Sequence, residues 1–263
     1  RYISVTGVQT CALPISGQVI ALDSLGSKAA SGQSIPISAR VAPETAERRD
    51  PSPGRPLGEA STLANPVLEK TLDRAVSLSY MSAEERDAVR GKIMQLAADH
   101  RFRPDDLALV SLIESDGFNP RASNGRCFGV IQFCDGADRV AATVGYRETP
   151  KAITGLPVLE QLDLVSRYFT ETGLRDFGRT GTATLDDLYL TVLTPAARND
   201  RRLDSPLPIQ GSQASVLKVD GNPQAPITRR SLIQGLWQTA RDKLSAFSAN
   251  NISGATAQGE VKR

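Results

Sequence analysis

Between Pro104 and Gly117 the chain reads as one apolar helix with a carboxylate, Glu114, close to its far end. Pro104 suits the first helical position, Asp105 and Asp106 favour the dipole of the first turn, and Gly117 suits the left-handed stop. Glu114 lies four residues after Val110 and seven after Leu107, so the three share a face. That face is expected to be buried. Leu107–Ile113 is the longest mainly apolar run in the chain and is far too short to span a bilayer. The helix therefore reads as part of a helical globular core.

Neighbouring segments carry the same period. Asn65-Pro66 reads as an N-cap with Pro at the first helical position, and Val67, Leu68, Leu72, Ala75 and Val76 follow at helical spacing. Ser82, with Glu85 three residues on, forms a capping box ahead of a helix striped by Val89, Ile93, Leu96 and Ala97. After a Gly/Asn/Cys loop, helices are expected at about 136–144, 157–172 and 184–193, the last stopped by Pro195. A Pro-, Gly- and Ser-rich stretch over 203–227 precedes a final amphipathic helix from about Thr228 to Phe247, striped by Leu232, Ile233, Leu236, Trp237, Ala240 and Leu244. No internal repeat and no strand series is evident. The fold class read from the sequence is all-α.

The front of the chain differs. Residues 17–65 are rich in Ser, Pro, Gly and Ala without lasting periodicity and read as a disordered linker. The eleven residues Val5-Thr-Gly-Val-Gln-Thr-Cys-Ala-Leu-Pro-Ile15 resemble the in-frame translation of a common short-read sequencing adapter. Residues 1–16 are therefore set aside, Cys11 with them, and the native N-terminus with any signal peptide is expected to be missing. What remains is a core domain over 66–205, then a Pro/Gly-rich connection, a C-terminal helix and a flexible tail over 206–263. Lys and Arg number 31 against 29 Asp and Glu, so the basic excess that a nucleic-acid binder needs is absent.

Glu114 stands against two physical preferences. Burial disfavours an ionised carboxylate, and an anion near a helix C-terminus opposes the dipole by roughly 0.3–1 kcal/mol. Such a residue is held by an arginine, exposed at a frayed end, or kept protonated for proton transfer. A carboxyl group protonated near neutral pH is what glycosidic-bond cleavage requires.

The residues around it favour the last of these. Glu114-Ser115, then Phe118-Asn119-Pro120-Arg121-Ala122, then Gly129-Val130-Ile131-Gln132-Phe133 together resemble the soluble lytic transglycosylase family of the goose-lysozyme-like superfamily. There a Glu-Ser pair, a Phe-Asn-Pro-x-Ala turn and a Gly-x-x-Gln motif line one cleft. Leu159-Glu-Gln-Leu-Asp-Leu-Val-Ser-Arg-Tyr-Phe169 and Leu185-Asp-Asp-Leu-Tyr-Leu-Thr-Val-Leu-Thr-Pro-Ala-Ala197 resemble the phage- and prophage-associated branch. The resemblance spans about residues 85–205 and implies a lysozyme-like helical domain. It also implies cleavage of the β-1,4 bond between N-acetylmuramic acid and N-acetylglucosamine in peptidoglycan, without a cofactor.

In that reading Glu114 protonates the leaving oxygen and then takes the proton of the muramyl C6 hydroxyl, closing a 1,6-anhydro ring. A second carboxylate holding a water would make the same scaffold a hydrolase; Asp116 and Asp135 are the acids that could serve. Ser115 would orient the glutamate or a sugar N-acetyl group, or only bond backbone. Gln132 would bind substrate or the glutamate, or lie exposed. Gly129 would give the backbone room to approach, or be a turn glycine. Phe133 could form part of a sugar platform, although both it and Phe118 suit the core better. Where relatives carry a Tyr-Asn pair, this chain reads Val192-Leu193-Thr194, with Tyr189 one turn earlier to serve or merely to pack.

Cys127 and Cys134 flank the Gly-x-x-Gln motif and would either close a small loop in an oxidising compartment or stay buried thiols. Two such cysteines and one histidine, His100, do not supply a zinc set, and His100 reads as a surface cap. Asp220-Gly-Asn-Pro lacks the oxygen ligands of a calcium loop. Arg198–Arg202 and Arg229-Arg230 read as solvated basic patches able to meet anionic wall polymers. The expected partners are peptidoglycan glycan strands and proteins of a phage tail or secretion apparatus, in the periplasm or on a virion. The rival class is a non-catalytic glycan-binding or structural part of such a machine.

Overall fold

The computed structural model describes residues 64–136, 139–177, 181–209, 217, 222 and 224–258, with side chains to 248. The adapter-like segment 1–16, the linker up to residue 63, most of Asp220-Gly-Asn-Pro and the tail beyond 258 lie outside these residues. Helices dominate: α1 Pro66–Ser77, α2 Ala83–His100, α3 Pro104–Ser115, α4 Val140–Thr143, α5 Val158–Glu171, α6 Leu174–Phe177, α7 Leu185–Leu193 and α8 Arg229–Gln258. Two short 3-10 helices, Pro150–Gly155 and Pro195–Asn199, join them.

α3 sits at the centre. Leu107, Ala108, Leu109, Val110 and Leu112 have no exposed surface, and the helix packs against α1, α2, α7 and α8. A helix that is apolar all round can only be stable inside a core, where each buried Leu or Val contributes about 1.5–3 kcal/mol. α8 belongs to the same core through Leu232, Leu236 and Ala240. The folded unit therefore runs past residue 205 and takes in the C-terminal helix.

Capping explains where several helices begin. Ser82 and Glu85 form the expected reciprocal box at α2, and Thr184 with Asp187 forms another at α7. α1 differs from expectation. The Asn65 side chain makes no cap bond and reaches Met94 Sδ instead. The backbone N–H of Leu68 is satisfied from another helix, donating to Asp105 of α3 at 2.9 Å. A local signal was answered by a tertiary contact.

Three further expectations change. The helix read at 136–144 forms only as the single turn of α4, with left-handed glycines at Gly136 and Gly145 on either side. The loop before it holds a hairpin, β1 Cys127–Phe128 and β2 Phe133–Cys134, pairing Cys127 with Cys134 and Phe128 with Phe133. Strands of two residues are too short to leave an alternating pattern. His100 is no surface cap: it is buried and packs edge-on against Phe169.

Candidate active site

The centre of the site is the C-terminal end of α3. Glu114 is 8% exposed, so it is neither frayed nor on a convex surface. It receives a hydrogen bond from the Tyr189 hydroxyl on α7. Tyr189 is wholly buried, and burial first, then the charge of Glu114 and this bond, push its hydroxyl well above the usual tyrosine range. Tyr189 therefore keeps its proton and acts toward Glu114 as a donor.

After Ser115 the backbone turns sharply. Asp116, Gly117 and Phe118 are all left-handed, with φ of 60°, 86° and 63°. Only Gly takes this region freely, so the other two are held by their surroundings. Asp116 accepts from Arg74 at 2.9 and 3.0 Å and from Tyr80 at 3.0 Å, and pairs with Lys243 at 2.7 Å. Burial works to raise its pKa, but Lys243 and Arg74 outweigh that and hold the carboxyl below its ordinary range. Phe118 is anchored in the core.

The same cations answer the dipole at this helix end. Lys243 Nζ donates to the Leu112 carbonyl at 2.6 Å, and Arg74 donates to the Asp116 carbonyl. Cations at a helix C-terminus are favourable, and these two offset the unfavourable placement of Glu114.

The Gly129–Gln132 turn meets α3 through one backbone unit. The Ser115 hydroxyl reaches the Val130 carbonyl at 2.8 Å as well as the Ser111 carbonyl at 3.1 Å. Val130 N–H donates to Gln161 Oε1 at 2.9 Å. Gly129 has φ 76°, and a Cβ there would collide with that same Gln161 oxygen. The close approach foreseen at Gly129 is therefore made by a side chain of this protein. Gln132 also has positive φ, 56°, and its amide donates to the Gly129 carbonyl at 3.1 Å.

The hairpin that carries this turn is closed by a disulfide between Cys127 and Cys134. Phe133 is fully buried, so its ring belongs to the core and not to a substrate-facing surface. Asp135 pairs with Arg126 at 3.3 Å. Asn119 accepts from the Arg121 N–H at 2.9 Å, and Gly129 N–H donates to the Ala122 carbonyl at 2.8 Å, joining the Asn-Pro turn to the Gly-x-x-Gln turn.

The basic stretches are solvated only in part: Arg201, Arg202 and Arg230 are exposed though each is paired, while Arg198 and Arg229 are buried. Arg198 is buried, donating to the Thr172 carbonyl at 2.7 Å and the Thr191 hydroxyl at 3.1 Å. Arg229, 1% exposed, pairs with Asp186 and Asp187 and donates to the Asp200 and Arg198 carbonyls. Arg201 pairs with Asp187 and Arg230 with Asp204. Among the described residues no group of three or more His, Cys, Asp or Glu is placed to hold a metal ion, and no helix is long and apolar enough to cross a membrane.

Sequence reading missed Gln161 and Lys243 and took the buried Arg229 for part of a solvated patch. Each was marked by the same signal: a polar residue on an apolar stripe. Gln161 stands three after Val158 and four before Val165, Lys243 three after Ala240, and Arg229 three before Leu232. No family model, curated protein or solved structure matches the chain.

Proposed function

We propose that the chain is a peptidoglycan lytic transglycosylase with a lysozyme-like domain. Glu114 serves as its only acid/base, and the product is a 1,6-anhydro-muramyl end. The observation that carries this reading is the meeting of two motifs. Glu114 and Ser115 close α3, and the Ser115 hydroxyl holds the Gly129–Gln132 turn at that helix end. Five left-handed residues, three of them not glycine, fall within or directly after these motifs: Asp116, Gly117, Phe118, Gly129 and Gln132. Backbone strain of this kind gathers where function over-determines geometry.

The chemistry follows from the donors present. Glu114 gives its proton to the glycosidic oxygen as the bond to the muramyl C1 breaks. The resulting carboxylate, steadied by the Tyr189 hydroxyl, removes the C6 hydroxyl proton as that oxygen closes on C1, and the acid is regenerated. A hydrolase needs a second carboxylate to hold water. Asp116 is engaged by Arg74, Tyr80 and Lys243, and Asp135 by Arg126, which favours the one-carboxylate route. The disulfide suits export to the periplasm or a virion, with phage-tail or secretion proteins as partners.

Two observations favour a second reading, a non-catalytic glycan-binding or structural component. Tyr189 is wholly buried, and the Gln132 amide is turned back onto its own loop. Mass spectrometry of purified peptidoglycan treated with the protein and with Glu114→Gln separates the outcomes. Anhydro-muropeptides from the native sequence alone support the transglycosylase. Reducing ends indicate a hydrolase, and retained binding without product indicates the structural role.

A further inference from the structure

We infer that Gln161 of α5 is the positioning residue of the candidate site. The inference rests on the transglycosylase reading and names a residue outside the Glu-Ser, Asn-Pro and Gly-x-x-Gln motifs. Gln161 has no exposed surface, and its amide serves only backbone. Oε1 accepts from Val130 N–H at 2.9 Å. Nε2 faces the carbonyls of Pro120 and Ile153 at 2.9 Å and Leu156 at 3.0 Å. One side chain thus ties together the Asn-Pro turn, the 3-10 helix Pro150–Gly155 and the Gly129–Gln132 turn.

The geometry explains why both ends of the amide matter. Val130 is gripped on two sides: Ser115 holds its carbonyl and Gln161 its N–H. Ser115 follows Glu114 directly, so the path from α5 through Val130 to α3 fixes the turn that bears Gln132 against the helix that bears Glu114. The carbonyls need a donor and the Val130 N–H needs an acceptor, and a neutral amide offers both from one terminus. Gly129 fits the same arrangement, since any Cβ there would strike Gln161 Oε1. Gln161 touches no reacting atom in this scheme; it acts through the backbone of the two turns.

The test uses the full chain, with Gln161→Met keeping the volume and Gln161→Asn keeping the amide but shortening its reach. Amide exchange of Val130 is followed by NMR, and cleavage of soluble glycan strands gives kcat and KM separately. In the native sequence the Val130 N–H should exchange about as slowly as core helix amides. In the folded variants its exchange should quicken locally while core helix amides stay protected. The kcat should fall by about tenfold or more with a smaller change in KM, as expected when reacting groups lose alignment.

Rapid Val130 exchange in the native sequence overturns the inference, whether or not any variant folds. So does unchanged exchange in either folded variant, or a loss of activity that only tracks the unfolded fraction. If the native sequence cleaves no glycan, the transglycosylase reading fails, and exchange then decides whether Gln161 still positions the two turns.

Discussion

The Tyr189 hydroxyl donates to the Glu114 carboxylate from a facing helix, and both residues are buried. The pairing joins α7 to the C-terminal end of α3, because α7 carries Tyr189 and α3 carries Glu114. Tyr189→Phe keeps the ring and deletes the donor. Deleting one partner of a buried hydrogen bond costs about 1–3 kcal/mol, so urea unfolding should show a loss of that order. Muropeptide release should fall by about tenfold or more, since a positioned donor to the acid/base is removed. Unchanged turnover in Tyr189→Phe would show that the hydroxyl has no part in the chemistry.

The helices of this core were legible because each has an apolar stripe and a punctuating cap. α2 begins at the box foreseen at Ser82, and α7 ends before Pro195. The hairpin was not legible, since two residues per strand give no period. The clamps were half-legible. Gln161, Lys243 and Arg229 were visible as polar misfits on apolar faces, but each has a partner more than 30 residues away that only the fold brings near: Gln161 meets Val130, Lys243 meets Leu112, and Arg229 meets Asp186. Glu114 was identified from its face on α3; its tyrosine partner needed the packing of α7 on that face.

Asp106, in the first turn of α3, makes stability depend on pH in the mildly acid range. Burial raises its carboxyl from 3.8 to about 6, with Arg103 opposing and Asp105 and Asp186 adding to the rise. Below the ordinary value both folded and unfolded chains hold the proton, so the contribution is whole. As pH rises from about 4 to about 6, the unfolded chain ionises while the fold keeps its proton, and on the order of 2 kcal/mol is lost; above that range both are ionised and the loss is complete. Asp106→Asn should remove this slope and be more stable than the native sequence at pH 7.5. Chemical denaturation from pH 3.5 to 7.5 checks it; parallel curves for the two proteins would count against the argument.

His100 acts in the opposite direction. Its Nδ1 is buried without a partner, and burial lowers its pKa below 6.5, with Asp99 opposing and Arg175 assisting. The contribution is present above the ordinary histidine value and is lost as pH falls, because the unfolded chain takes up a proton that the fold resists. His100→Leu should flatten the stability profile between pH 7 and 5 and be the more stable protein at the acid end. The midpoint of thermal unfolding, followed across that range, is the readout.

The Cys127–Cys134 disulfide closes a short loop around the Gly129–Gln132 turn. Chain entropy gives a loop of this length about 2–3 kcal/mol of stabilisation. Both sulfurs belong to buried residues, so reductant should act slowly on the native protein and quickly once it opens. Cys127→Ser with Cys134→Ser should lower thermal stability and quicken exchange within residues 127–134 while core helix amides stay protected. Fast reduction of the native protein without unfolding would contradict the buried placement.

Arg229 places the C-terminal helix inside the site's support. It stands at the first position of α8 and pairs with Asp186 and Asp187, which open α7, the helix of Tyr189. Removing one partner of a buried ion pair leaves an uncompensated charge and costs about 3–5 kcal/mol. Arg229→Met is therefore expected to be severely destabilised, and truncation before residue 229 more so. The triple change Arg229→Met, Asp186→Asn, Asp187→Asn removes the stranded charges together and should recover part of the loss. Glycan cleavage should recover less than stability does, because α8 also supplies Lys243 to the end of α3 beside Glu114. Denaturant unfolding and muropeptide release measured on the same four proteins decide it. Equal recovery of both would mean that α8 stabilises the fold without shaping the site.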